Sequence, residues 1–209
     1  MAKHAQGWRR RDFARAAALL ALAAGVPAGT VGATIRADDE APSRRRRALM
    51  KEVSQRVLPR TTTPGAGDVG VGDFVILALA HGLDQSRAPV ASASVPALAR
   101  FLRRDGSLRQ LDWLEAELDR RAKGDFLRAP LGVRTAILTR LDAEAFAPAT
   151  QDDPWKTIKG LILTGYYTSE VGGSQELRYE LVPGRWDPDV PLAPDARAFS
   201  SDWTAVDFG

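Results

Sequence analysis

Apolar residues recur at helical spacing along the centre of this chain, and that spacing predicts a series of α-helices. Residues 44–58 place Leu49, Val53 and Val57 at four-residue intervals. Pro59 ends this segment, because proline disfavours helical backbone in the residue before it. Residues 107–122 predict another helix, with an apolar stripe and a solvated acidic side. The stripe consists of Leu108, Leu111, Leu114 and Leu118, and the residues opposite are Asp112, Glu115 and Asp119.

Three shorter segments predict further helices. Residues 74–80 are apolar on all sides and are followed by Gly82, which suits a helix C-terminus, so they predict a short buried helix. Residues 95–104 and 130–145 each carry apolar side chains on one face, and Pro130 suits a first helical turn. These side chains are Leu98, Phe101 and Leu102 in the former segment and Val133, Ile137 and Leu141 in the latter.

The last helical signal begins at Asp153, a capping residue followed by Pro154, and continues to Tyr167. Residues 177–182 alternate like a short strand, and residues 183–209 are proline-rich without a period. The pattern therefore predicts a mainly α fold: a single helical domain (body 44–170) with a long irregular C-terminal arm (171–209) and at most a short β segment. The apolar face of the last helix consists of Trp155, Ile158, Leu161, Ile162 and Tyr166.

The N-terminal segment, residues 1–33, predicts an export signal followed by a polar linker, residues 34–43. Its apolar run over residues 16–26 is too short to span a bilayer, and small residues follow at a plausible cleavage site. Arg10, Arg11 and Phe13 stand at the positions of a twin-arginine motif. The mild, alanine-rich apolar run favours twin-arginine export over an ordinary secretory signal, which is the alternative. Twin-arginine export carries folded proteins, so the translocase is an expected partner.

The charge of the chain depends on that signal. Residues 1–33 hold five of the 29 basic and one of the 26 acidic residues, which leaves 24 against 25 and a net charge of about −1 in the remainder. A nucleic-acid partner is therefore not expected. The remaining basic cluster, residues 44–47, is interpreted as a solvated helix face. The alternative is contact with anionic lipid headgroups or an acidic surface.

Residues for metal or cofactor chemistry are scarce. The chain has no cysteine and two histidines, and His81 is interpreted as a packed residue near a helix end. Residues 65–70 match a G-x-G-x-x-G spacing, but Pro64 and three threonines precede it instead of an apolar strand. Acidic pairs such as Glu115 and Asp119 have simpler roles than acid and base. We therefore predict no catalytic, cofactor-binding or metal residues in this chain.

Three blocks, residues 57–71, 155–173 and 177–186, together resemble the gluconate 2-dehydrogenase subunit 3 family, the small (gamma) subunit found beside flavoprotein sugar and polyol dehydrogenases. The resemblance implies a non-catalytic periplasmic subunit that binds a large FAD-dependent dehydrogenase subunit lacking its own signal. Such a pair commonly passes electrons to a membrane-attached multihaem cytochrome c subunit. FAD is then expected in the partner, and the complex attaches this chain to the membrane.

Aromatic residues near the C-terminus are the predicted contacts with that partner, because aromatic side chains dominate many interfaces. Packing of the arm on its own helical body is the alternative. A second alternative is a free-standing small periplasmic enzyme with a site near Tyr166, Tyr167 and Glu170. The predicted contact residues are Tyr166, Tyr167, Thr168, Gly172, Trp186, Trp203 and Phe208.

Overall fold

The computed structural model describes residues 42–90, 98–148, 150, 153–179, 191, 193 and 196–200. Within these ranges the chain is mainly α, as predicted. The helices are α1 (Arg44–Val57), α2 (Val71–His81), α3 (Gln110–Ala122), α4 (Leu131–Ala145) and α5 (Pro154–Tyr167). Short 3₁₀ turns cover Leu83–Gln85, Ala99–Phe101 and Phe126–Arg128, and a π turn covers Gly172–Glu176. The strands are β1 (Arg178–Tyr179) and β2 (Phe199–Ser200).

Helix α1 forms where its pattern predicts. The Ser43 side chain accepts a hydrogen bond from the backbone N–H of Arg46 at 3.2 Å, which caps the first turn. Leu49, Met50 and Val53 are buried on one face. The helix ends at Val57, two residues before Pro59.

Helix α2 lies between α1 and α5 and is buried on most sides, as its uniformly apolar sequence predicts. It begins at Val71, three residues before the predicted start, and ends at His81, where Gly82 caps it with a left-handed φ of 77°. A Cβ at Gly72 would lie 2.8 Å from the backbone nitrogen of Lys51, so a glycine lets α2 approach α1 closely.

Helix α5 matches its prediction most closely. Asp153 caps it by accepting a hydrogen bond from the Trp155 backbone N–H at 2.8 Å. All five apolar residues of the predicted face are buried in the core. Helix α5 therefore supplies a large part of the common core with α1 and α2.

Helices α3 and α4 depart from prediction in their details. Helix α3 begins at Gln110, so Leu108 is buried in the segment before it. Pro130 is the N-cap of α4 and not a residue of its first turn. The predicted stripe of α4 is wrong at Val133, which is exposed, because the buried face follows Leu138, Leu141 and Ala145.

The helix predicted over residues 95–104 is absent from its described part, residues 98–104. Only the 3₁₀ turn is present there, and Leu102 is extended and pairs with Leu108 in an antiparallel bridge. The cause is a tight turn immediately after it. Asp105 accepts hydrogen bonds from the Ser107 backbone N–H and hydroxyl, and Gly106 has a φ of 78°.

The C-terminal arm contributes a short parallel pair of strands, in which Arg178 faces Phe199. This confirms a short β segment beginning near the predicted strand, whose residues 180–182 lie outside the described ranges. None of the described helices has the length and apolar character needed to cross a membrane.

Candidate functional site

The loop between α1 and α2, residues 58–70, folds back onto α1. The Ala66 N–H donates to the Leu58 carbonyl at 2.9 Å, and Asp68 accepts from the Gly65 N–H at 3.1 Å. Desolvation would raise the pKa of Asp68, but the Gly65 hydrogen bond and the charge of Arg60 hold this pKa below its ordinary value. The glycines of the G-x-G-x-x-G spacing therefore belong to a folded turn stabilised by Asp68.

This loop meets the end of α5 and the π turn at a group of polar side chains, which we call the threonine junction. It consists of Thr63 and Tyr166, which are buried, and Glu176, which is half-buried. The Tyr166 hydroxyl donates to the Pro64 carbonyl at 2.9 Å and lies 3.4 Å from the Thr63 hydroxyl. Thr63 in turn donates to the carboxylate of Glu176. Residues from three distant segments are thus joined through neutral donors and one carboxylate.

Gly172 lets the chain turn back across the end of α5. A Cβ on this residue would lie only 1.9 Å from the Tyr166 carbonyl oxygen, a contact that no side chain tolerates. Ser169 donates to the same carbonyl from its N–H at 3.0 Å and its hydroxyl at 2.6 Å. The π turn, a rare wide turn that occurs often at functional sites, therefore sits directly against the helix end.

Beyond the π turn, the arm returns to the same end of the body. The Arg178 N–H donates to the Ala198 carbonyl at 2.8 Å, and the Arg178 guanidinium lies 5.3 Å from the ring centre of Phe199. Arg197 donates to the Gln175 carbonyl and reaches the Thr62 hydroxyl at 3.5 Å. The described parts of the three blocks that carry the family resemblance, residues 57–71, 155–173 and 177–179, thus meet at one end of the helical body.

The predicted partner contacts divide into three groups. Tyr167 and Thr168 are exposed and available to a partner. Tyr166 is only 3 % exposed and Gly172 is buried, so these two hold the junction together and offer no surface. The remaining predicted residues lie outside the described part of the chain, as do the export-signal residues Arg10, Arg11 and Phe13. Those in the arm are Trp186, Trp203 and Phe208.

A second junction, which the sequence pattern did not predict, lies at the start of α1. We call it the arginine junction; it pairs Arg45 and Arg46 with carboxylates of α3 and of the turn after it. Arg45 lies 2.8 Å from Asp119 and 3.0 Å from Asp125, and Arg46 lies 2.7 Å from Asp112. Both arginines also bind Glu115.

The arginine junction corrects two interpretations. Arg45 and Arg46 are not a freely solvated helix face, and the acidic side of α3 is not freely solvated either. Burial would lower the pKa of Arg45, but the hydrogen bond and charge of Asp119, with two further carboxylates, raise it above its ordinary value. A run of four consecutive arginines at residues 44–47 and a row of acidic residues at helical spacing, Asp112, Glu115 and Asp119, were the signal that could have indicated this pairing.

The described residues locate the candidates for metal binding and for the alternative enzyme site. Within them, no three His, Asp or Glu side chains are placed to hold a metal ion. His81 is half-buried at the last position of α2, near a helix end as predicted. The Tyr166 hydroxyl of the alternative enzyme site is engaged with Pro64, and Ser169 is engaged with the helix end.

Comparison with protein families gives one match. The model of gluconate 2-dehydrogenase subunit 3 matches residues 44–184, which extend from the start of α1 to beyond β1. Comparisons with curated proteins and with solved structures found no match. Because the matched region covers most of the chain and contains both junctions, the chain belongs to the gluconate 2-dehydrogenase subunit 3 family.

Proposed function

We propose that this chain is the non-catalytic small subunit of a periplasmic FAD-dependent sugar or polyol dehydrogenase complex. It binds the large flavoprotein subunit, escorts it through the twin-arginine translocase and stabilises it. The observation that carries the proposal is the family match, which indicates a subunit of a gluconate 2-dehydrogenase complex. A multihaem cytochrome c subunit completes the proposed complex and holds it at the membrane.

The arrangement of polar groups supports a structural role for this chain. Arg45, Asp119, Thr63 and Tyr166 bind each other or the backbone, and each has a clear part in joining helices. The polar side chains of the two junctions are therefore engaged in holding the fold. Such a rigid body suits a subunit that supports a partner.

The escort role is tested by inactivating the export signal. We expect the double change Arg10→Lys and Arg11→Lys to leave this chain and the dehydrogenase activity in the cytoplasm, since the flavoprotein is proposed to have no signal. Arg9→Lys is the matched control and should leave the activity periplasmic. Activity is measured in separated periplasmic and cytoplasmic fractions. Unchanged periplasmic activity after the double change would contradict the escort role.

The non-catalytic role has its own test. The chain purified without its partner should show no flavin absorbance and no dehydrogenase activity, and addition of the proposed flavoprotein subunit should supply both. A cofactor retained in stoichiometric amount by the isolated chain would favour a free-standing enzyme.

A further inference from the structure

The arm carries a face formed by Arg178, Arg197 and Phe199, which we call the Arg–Phe face. Arg178 and Phe199 are paired in register on β1 and β2, and the guanidinium lies over the ring. Arg197 lies two residues before Phe199 on the same segment of the arm. All three side chains are exposed, and Phe199 is 57 % exposed.

The two arginines of this face differ from those at the arginine junction. Arg45 has carboxylate partners, whereas the contacts of Arg197 within the described residues are the Gln175 carbonyl and the Thr62 hydroxyl. Arg178 contacts the Phe199 ring there and has no carboxylate within salt-bridge distance among the same residues. Within the described residues, the two guanidiniums beside this exposed ring therefore have no carboxylate partner.

We infer that the Arg–Phe face is the docking site for an acidic segment of the dehydrogenase subunit. Carboxylates of that segment bind the guanidiniums of Arg178 and Arg197, and an apolar side chain packs on Phe199. Arginine and aromatic residues are enriched among those that dominate interface energies, and arginine suits carboxylates because it binds them through two parallel hydrogen bonds. The inference rests on the proposed function and assigns a surface and a partner chemistry to it.

The Arg–Phe face is anchored to the rest of the body. Arg197, two residues before β2, contacts Gln175 of the π turn and Thr62, and Glu176 of the same turn binds Thr63. The threonine junction therefore fixes the position of the face before a partner binds. A preformed site loses less conformational entropy on association, which favours tight binding.

The test is the affinity between the full chain and the proposed flavoprotein subunit, measured as Kd by titration of the purified subunits. We expect Phe199→Ala to raise Kd by about thirtyfold, and the pair Arg178→Gln with Arg197→Gln to raise it by a similar factor and to weaken its dependence on salt. Phe146→Ala is the matched control, because Phe146 is 53 % exposed and also has a cation, Lys159, 4.8 Å from its ring centre.

Each outcome decides between this surface and the alternatives. If the native chains bind but Phe199→Ala and Phe146→Ala have equal effects, the Arg–Phe face is overturned while the proposed function stands. If the native chains do not bind at all, the proposed function fails and this inference fails with it. Asp187→Asn with Asp189→Asn tests whether these two acidic residues of the arm occupy the face. If this pair and the arginine changes lower thermal stability equally without altering Kd, the occupant is the arm and the inference is overturned.

Discussion

The two ends of α1 are held by opposite kinds of chemistry. At its start, Arg45 and Arg46 bind carboxylates on and beside α3. The loop after its end reaches the threonine junction, where Thr63 and Tyr166 are joined by hydrogen bonds between hydroxyls and a carbonyl, and Glu176 contributes a single carboxylate. The helix has 14 residues, so about 20 Å of chain separates a charged junction from a largely neutral one.

This difference determines what each junction responds to. The Arg45 side chain is 33 % exposed, so water and salt weaken its ion pairs, and they contribute less than fully buried pairs would. The hydroxyls of Thr63 and Tyr166 are buried, so losing one leaves a buried polar group without a partner. Salt should therefore change the stability that the arginine junction contributes. Removal of a single hydroxyl should change the stability that the threonine junction contributes.

The largest expected effect is at the π turn beside the threonine junction. Gly172→Ala places a methyl group against the backbone carbonyl of Tyr166, so either the helix end or the turn must move. We expect the free energy of unfolding to fall by about 3 kcal/mol, measured by urea denaturation.

Gly160→Ala is the matched control for Gly172→Ala. Gly160 lies inside α5, and a Cβ there would meet open space, so alanine should stabilise the helix by about 0.5–1 kcal/mol. Equal changes in the two variants would show that the close contact at Gly172 does not govern the position of the turn.

The second-largest expected loss of stability is at the arginine junction. Arg45→Ala leaves Glu115, Asp119 and Asp125 without their shared cation, and we expect a loss of about 1–2 kcal/mol at low salt, between the values for exposed and buried pairs. Urea denaturation in 1 M NaCl should give a clearly smaller loss, because salt screens the remaining repulsion.

Arg44→Ala serves as the control at this junction. Arg44 precedes Arg45 on the same helix and is exposed. Its loss should change the free energy of unfolding little at either salt concentration. A loss for Arg45→Ala that stays constant with salt would mean that packing of the side-chain stem, and not charge, holds this end of α1.

The third-largest expected loss of stability follows from removing one hydroxyl at the threonine junction. Tyr166→Phe removes the donor to Pro64 and should cost about 1 kcal/mol, with the same value at low and high salt. Tyr167→Phe, in the exposed neighbour, should cost close to nothing. If the stability lost in Tyr166→Phe depended strongly on salt, the proposed difference between the arginine junction and the threonine junction would be contradicted.

Local sequence signals predicted the helices well. They could not predict the two junctions, because these join residues that are far apart in the sequence. Pro59, Gly82 and Asp153 each act on adjacent backbone, so the ends of α1, α2 and α5 lie close to prediction. Thr63 and Tyr166 are 103 positions apart, and the family resemblance indicated their blocks without indicating that they meet. The helix predicted near Leu102 is absent, because the turn at Asp105 determines the local backbone and the apolar spacing does not. A local signal can therefore also mislead when a stronger one lies beside it.

The smallest expected effect concerns Asp142, which joins α4 to α5 with features of both junctions. It accepts from the Trp155 ring N–H at 2.7 Å and from the Lys159 ammonium at 2.7 Å. Burial would raise the pKa of Asp142, but the hydrogen bonds from Lys159 and Trp155 hold it below its ordinary value. Because the folded pKa is the lower one, this carboxylate stabilises the fold above its unfolded pKa of about 3.9 and stops doing so as pH falls through the folded value.

Asp142→Asn should therefore lower the free energy of unfolding near neutral pH and lose that difference in acid. The side chain is 35 % exposed, so we expect less than about 1 kcal/mol at pH 7. Urea denaturation of both proteins between about pH 7 and pH 3 measures the difference, which isolates Asp142 from other carboxylates that titrate in the same range. In a Lys159→Met background, Asp142→Asn should change the free energy of unfolding much less, because asparagine can still accept the hydrogen bond from Trp155. A difference that persists unchanged in acid would show that the neutral hydrogen bond, and not the ion pair, joins these two helices.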